Sequence, residues 1–184
     1  MADAIAGAVL VGGASRRMGR DKAVIHIDGQ PMVDRIGAVL RAAGCVPVFA
    51  VGPGPLAGAL AHFDDLFPGQ GPLGGVLTAL ACTSPPSTAV CVVACDMPWL
   101  DAESVAQLLD VARVTTANVA MAQTDRLEPL CAVWNVSSAP ALQRAFDSGE
   151  RAIHLALGQL VTQHVALPAL ALRNVNTPSD LPSR

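Results

Sequence analysis

Leu10-Val11-Gly12-Gly13-Ala14-Ser15-Arg16-Arg17-Met18-Gly19-Arg20-Asp21-Lys22-Ala23 is the stretch that decides how this 184-residue chain reads. It follows an apolar run, residues 5–10, with the make-up of a buried strand. It then crowds three glycines, three arginines and a lysine into one loop. Glycine lets backbone N–H groups approach an anion without a Cβ in the way. A turn of successive amides is an anion-binding hollow, and guanidinium forks and an ammonium suit phosphate oxygens. An ordinary basic surface turn is the plain alternative. Three arginines beside one strand end repel one another, however, so an anionic ligand explains them better, and the loop reads as a triphosphate or pyrophosphate cradle. It is not a Walker loop, because Gly19 is followed by Arg20-Asp21-Lys22. Nor is it a dinucleotide fingerprint, because Gly12-Gly13-Ala14-Ser15 lacks the G-x-G-x-x-G spacing.

The rest of the composition bounds the setting of that loop. Hydrophobic residues make up 52% of the chain but aromatics only 3%. The core is therefore built from Ala, Val and Leu, which suits helices lying on a buried parallel sheet. The length supports one domain, and no repeat or boundary divides it, so 1–184 is read as a single domain. A net charge of −3 offers no basic field for nucleic acid. No uninterrupted apolar run is long enough for a membrane span, and Met1-Ala2-Asp3 lacks the basic start of a signal peptide. Cys45, Cys82, Cys91, Cys95 and Cys131 all lie in apolar runs, with no Cys-x-x-Cys pair. They are read as reduced thiols of a cytoplasmic protein. The scattered His26, His62, His154 and His164 argue against a zinc site.

Along the chain, residues 24–27 read as a short strand and Asp28-Gly29 as a turn. Pro31 is expected in the first turn of a helix. That helix carries Met32, Val33, Ile36, Val39 and Leu40 inward, Arg35 and Arg41 toward solvent, and ends at Gly44. A second strand, 46–51, is broken by Gly52-Pro53. A second glycine-rich loop spans 62–75, and Pro72 opens a helix that runs to Cys82. Its N-terminus carries partial positive charge, and an acidic residue before it can accept from a ribose or a base edge. Residues 89–95 are the most apolar strand, expected at the sheet centre, and end at Asp96-Met97-Pro98. A carboxylate at the C-terminal end of a buried strand lies at the ligand crevice of an open α/β sheet. Buried alone it is costly, and Mg²⁺ held by one carboxylate plus substrate phosphates fits it. The alternative, an N-cap for the next helix, is better filled by Asp101. An amphipathic helix follows at 101–114. Strands at 118–122 and 130–134 are joined by a polar turn, with helices at 139–146 and 152–157 and a late strand at 165–167. Thr177 reads as an N-cap with Pro178 behind it.

The pattern Leu10-Val11-Gly12-Gly13-x-Ser15-x-Arg17-Met18-Gly19-x-Asp21-Lys22 resembles the signature of the molybdenum cofactor guanylyltransferase family. The wider superfamily carries G-x-x-R-M-x-x-x-K; the double glycine and the Asp before the Lys point to the guanylyl branch. The family's D-x-x-P-G-x-G-P-L-x-G matches from Asp65, and its C-D-x-P matches Cys95-Asp96-Met97-Pro98. Glu128-Pro129-Leu130-Cys131-Ala132 and Gly149-Glu150-Arg151 match further stretches, and Asn174-Val175-Asn176-Thr177-Pro178 matches N-x-N-T-P. Two departures stand out: Val11 replaces a common Ala, and Gly52-Pro53 stands where the family often presents an Asn.

The resemblance implies a three-layer α/β/α Rossmann-like nucleotidyltransferase fold with a mostly parallel sheet. The N-terminal part would bind nucleotide and the C-terminal part the acceptor. It implies transfer of GMP from GTP to the molybdopterin (Mo-molybdopterin) cofactor, with release of pyrophosphate. Arg17 and Lys22 would hold the phosphates, above the backbone of Gly12, Gly13 and Ser15. Asp96 would hold Mg²⁺. Leu10, Val11, Gly12, Asp65 and Gly71 would line the GTP site, and Asn174 and Asn176 the pterin side. Arg151 would either steady a pterin phosphate or simply sit at a helix start. Molybdoenzymes or other cofactor-biosynthesis proteins are the expected partners. The rival readings are a molybdopterin cytidylyltransferase, a sugar-nucleotide pyrophosphorylase, and a non-catalytic nucleotide-binding protein that delivers the cofactor.

Overall fold

Successive residues of the first strand point into two different cores. In β1 (Ala4–Leu10) Ile5 and Val9 enter one apolar cluster, while Ala6, Ala8 and Leu10 enter another. This strict alternation follows from the two-residue period of a strand. Since both faces are apolar, both need helices over them. The computed structural model describes residues 4–12, 25–53, 60–177 and 180. Within these, a hairpin of β2 (His26–Ile27) and β3 (Gln30–Pro31) leads into α1 (Met32–Ala42). Then come β4 (Val48–Val51), β5 (Ala61–Phe63), α2 (Pro72–Cys82), β6 (Ser87–Ala94) and α3 (Ala102–Val114). β7 (Val119–Gln123), β8 (Leu127–Asn135), α4 (Ala139–Asp147), α5 (Ile153–Ala156) and β9 (Thr162–Ala166) complete the order.

The main sheet has seven strands in the order β5-β4-β1-β6-β8-β7-β9. Every pairing is parallel except the two made by β8. Residues from α1 and α3 fill one core with Ile5, Val9, Cys91 and Val93; residues from α2, α4 and α5 fill the other with Ala8, Val90, Val92 and Trp134. The result is the expected three-layer α/β/α arrangement with a mostly parallel sheet. β6, expected at the centre, is the fourth of the seven strands. The chain runs outward from β1 through β4 to β5, then returns across β1 to β6 and goes the other way. The strand order therefore reverses between β1 and β6, and that is where open α/β sheets place their ligands.

Several local expectations need correction. Pro31 is not in the first turn of α1: it lies in the small hairpin, with φ −56° and ψ 141°, as the helix N-cap. Its fixed φ serves an extended residue just as well. The turn between β7 and β8 is shorter than the polar composition suggested, so Glu128 and Pro129 lie within β8. The β7–β8 pairing jumps from Met121↔Ala132 to Ala122↔Glu128. Residues 129–131 form that bulge, which accommodates a proline without an N–H to donate. The helix expected at 152–157 is one turn, Ile153–Ala156, followed by a tighter turn, Leu157–Gln159.

Candidate active site

Two central strands end side by side. Leu10 of β1 pairs with Ala94 of β6, and the Cys95 N–H donates to Leu10 O at 3.0 Å. The glycine-rich signature thus begins, at Val11 and Gly12, at the same sheet end and register where Asp96 follows β6. Residues 13–24, and with them Gly13, Ser15, Arg17 and Lys22, lie outside the described residues. Asp96 is half-buried in the turn after β6, and its backbone oxygen accepts from Val175 N at 2.8 Å. That bond brings the C-terminal Asn174-Val175-Asn176 segment to the Asp96 turn.

The β1 and β4 ends pack almost backbone to backbone. Val11 N donates to Val51 O at 2.8 Å. Gly52 has φ +150°, and a Cβ there would lie 1.9 Å from Val11 O. Only glycine fits so close an approach at that angle. Gly12, with φ +101°, stands over Pro53 in the same way. The chain therefore fills the position of the family's Asn with a tight turn whose available polar groups are on the backbone. Gly52 O is in turn held by His62 Nε2 at 2.9 Å; a carbonyl can only accept, so Nε2 carries the proton.

The second loop reaches the same place through α2. Gly71, φ +81°, is the N-cap of α2, and a Cβ on Gly75 in its first turns would lie 3.1 Å from Leu10 Cδ1. Asp65 braces this loop. Its Oδ1 accepts from Phe67 N and from Thr78 Oγ1, both at 2.9 Å. Thr78 is fully buried and also accepts from Leu66 N at 3.1 Å. Asp65 thus shapes the loop through one oxygen, a role the sequence did not suggest. Asp64 is exposed, as a plain solvated carboxylate should be.

Arg151 is committed to the protein. Its Nε donates to Gln70 Oε1 at 2.8 Å, its Nη1 to Phe146 O at 2.7 Å, and its guanidinium lies 4.0 Å from the Phe146 ring centre. These contacts make Arg151 a brace between α4 and the second loop. Glu150 accepts from the N–H groups of Arg151 and Ala152, and those bonds hold its carboxyl below the usual range. At the other side, Asp180 Oδ2 accepts from Asn176 N at 2.9 Å, from Thr177 N at 2.7 Å and from Thr177 Oγ1 at 3.0 Å. These bonds, the Asn176 amide first, lower the Asp180 pKa. The helix start expected at Pro178 lies outside the described residues.

The oxygen donors here suit a hard cation. Asn174 Oδ1 is buried and has no hydrogen-bond partner. An orphaned buried acceptor calls for a donor or a cation. The Asn174 segment meets the Asp96 turn through Val175 N, and carboxylate and amide oxygens are the donors that Mg²⁺ takes together with phosphates. Among the described residues no group of three His, Cys, Asp or Glu side chains could hold a metal on its own.

A doubly wound sheet whose order reverses between the strand ends at Gly12 and the Asp96 turn defines the class: an α/β protein with its ligand crevice at those ends. The sequence sharpens this. A family model described as the MobA-like NTP transferase domain matches residues 7–164, and the chain belongs to that family of nucleotidyltransferases. A probable molybdenum cofactor guanylyltransferase of Opitutus terrae is 36% identical, over 97% of this chain and 94% of its own length. A molybdenum cofactor guanylyltransferase of Rhodobacter capsulatus is 32% identical over 96% and 93%. Among solved structures, molybdopterin-guanine dinucleotide biosynthesis protein A from Archaeoglobus fulgidus superposes with a TM-score of 0.81 at 25% identity, covering 96% of this chain and 94% of that one.

One side chain near the site was misread from sequence. Arg35 was expected to face solvent, but its Nε donates to Pro98 O at 2.6 Å, 63 residues away in the chain. Helical periodicity places it beside the buried face without revealing a distant carbonyl.

Proposed function

We propose that this protein transfers GMP from GTP to molybdopterin, forming molybdopterin guanine dinucleotide and pyrophosphate. A terminal phosphate oxygen of the acceptor attacks the α-phosphorus of GTP. The new P–O bond forms as the bond to the β-phosphate oxygen breaks, and pyrophosphate leaves with that electron pair. The nucleophile is already an anion, so no strong general base is required. Catalysis then rests on positioning and on preorganised charge. Arg17 and Lys22 hold the phosphates over the backbone of Gly12, Gly13 and Ser15. Leu10, Val11 and Gly71 line the nucleotide, and Asp65 keeps its second oxygen for the ribose. Asn174 and Asn176 serve the pterin side. Asp96, whose turn is joined to the Asn174 segment through Val175 N, would hold Mg²⁺, which when bound offsets phosphate charge. The single observation that carries this reading is the adjacency of the two strand ends, Leu10 beside Ala94, in a chain with the family's signature. The five cysteines are free thiols, which supports a reducing, cytoplasmic setting, with molybdoenzymes or other cofactor-biosynthesis proteins as partners. No helix among the described residues is long and apolar enough to cross a membrane.

The test is pyrophosphate release by the purified chain with molybdopterin and, in turn, GTP, CTP, or UTP with a sugar phosphate. GTP should be the productive nucleotide. Lys22→Ala should lower turnover by about 10²-fold or more while leaving the melting temperature almost unchanged. Asp96→Ala should lose the Mg²⁺-dependent activity. Preference for CTP would move the chain to the cytidylyl branch. Tight GTP binding with no release would favour a delivery protein.

A further inference from the structure

Arg35 stands on α1, away from the strand ends, yet it touches two segments that flank the site. Its Nε–H donates to Pro98 O at 2.6 Å, two residues after Asp96. Its Nη1 lies 3.6 Å from Asp28 Oδ2, in the turn of the β2–β3 hairpin into which the chain returns after residues 13–24. The ion pair is exposed on the Asp28 side and contributes little by itself. The bond to Pro98 O is different: Pro98 is buried, the donor is charged, and such bonds are the stronger kind. The same segments share a small separate core of Ile25, Ile27, Met32 and Val175, with Trp99 packed against it. Ile25 and Ile27 belong to the returning hairpin, Met32 to the start of α1, Trp99 to the Asp96 turn and Val175 to the Asn174 segment. Arg173 covers the Trp99 ring from outside at 5.0 Å. The Asp96 turn is thus tied to β1 through Cys95 N, to the C-terminal segment through Val175 N, and to α1 and the hairpin through Arg35.

We propose that Arg35 is a positioning residue for the transfer reaction, an inference that rests on the nucleotidyl-transfer reading above. One planar fork spans the Asp96 turn and the β2–β3 hairpin, and so holds the acid in place against α1. Misplacing reacting groups by about 1 Å can cost about 10²-fold in rate. The residues proposed to line the nucleotide, Leu10, Val11, Asp65 and Gly71, stand on β1, just after it, and ahead of α2 rather than on α1. Its loss should therefore fall on kcat and on the Mg²⁺ requirement, and spare nucleotide affinity.

Arg35→Met keeps the aliphatic stem and removes every donor. Leu142→Ala, in α4 under the opposite face of the sheet, is the control for simple destabilisation. At a temperature where both variants are folded, Arg35→Met should lower kcat for pyrophosphate release about tenfold or more, with the GTP dissociation constant within about twofold of the parent. The Mg²⁺ titration midpoint should rise. Hydrogen exchange at the Val175 and Cys95 amides, whose acceptors are Asp96 O and Leu10 O, should quicken. Unchanged kcat, unchanged exchange at those amides, or an equal kcat loss in Leu142→Ala would each overturn the proposal. Should Arg35→Met fail to fold, Arg35→Lys keeps a charge without the fork and carries the same readouts. If the parent chain releases no pyrophosphate from any nucleotide, the functional reading fails by itself; the exchange measurement still decides whether Arg35 holds the Asp96 turn.

Discussion

Gly52 shows how one residue sets the character of the site. With φ +150° and a hypothetical Cβ 1.9 Å from Val11 O, it admits no side chain without moving either β1 or β4. Gly52→Ala should therefore destabilise the protein by about 2–4 kcal/mol. Gly158→Ala, where a Cβ meets nothing within 4 Å and φ is ordinary, should stay within about 0.5 kcal/mol of the parent. Chemical denaturation of the two variants checks this; equal stabilities would mean that the two strand ends are not packed as described. At this scale the sequence was legible for residues inside strong local patterns. Asp101 caps α3, accepting from Ser104 N at 2.7 Å, as its place before the amphipathic run required. Arg35 and Thr78 were not legible, because their partners, Pro98 and Asp65, lie far away in the chain and no periodicity encodes them.

Among the elements, the apolar ones followed their patterns and the irregular ones did not. Residues 72–82 and 102–114 form helices almost as the spacing required, and β6 takes the centre because nearly every residue of it is apolar. The β7–β8 turn and α5 differ because bulges and one-turn helices depend on what packs against them rather than on composition. The C-terminal Asn174–Thr177 loop has its own pH dependence. The amides of Asn176 and Thr177 hold the Asp180 carboxyl below the usual aspartate range. A lowered carboxyl pKa contributes stability above the unfolded value, and that contribution is lost as pH falls through the folded one. The loop should therefore be indifferent to pH near neutrality and loosen only in acid, below the ordinary aspartate range. The Asn176 and Thr177 amide resonances of the parent should shift together in that acid window, and in Asp180→Asn they should not. Movement near neutral pH would contradict the assignment.

For the whole molecule, free thiols and a shared site mouth follow from one architecture. Four of the five cysteines are buried within the core on the α1 and α3 face, and Cys82 alone is half-buried. Burial, aided by the charge of Glu128, pushes the Cys131 thiol up to about 12. Burial also raises Cys82, though it is the most accessible of the five. Iodoacetamide should therefore modify at most Cys82 in the native protein, and all five thiols after unfolding, as read by mass spectrometry; rapid native labelling of Cys45, Cys91 or Cys131 would contradict the fold. The parallel sheet and its two covering layers were readable from composition, since a core of Ala, Val and Leu with few aromatics leaves few other solutions. The approach of the C-terminal Asn174–Thr177 segment to the Asp96 turn at the strand ends was not. It depends on the strand order, which local sequence does not carry.

The most direct test of nucleotidyl transfer at that mouth is to follow the α-phosphate of GTP. The chain is incubated with molybdopterin, Mg²⁺ and GTP labelled at the α-phosphorus, and the products are separated. The label should leave with the pterin as its guanine dinucleotide, with unlabelled pyrophosphate in equal amount, and Asp96→Ala should give neither. Label retained in GTP, or released as free GMP without a pterin product, would contradict it.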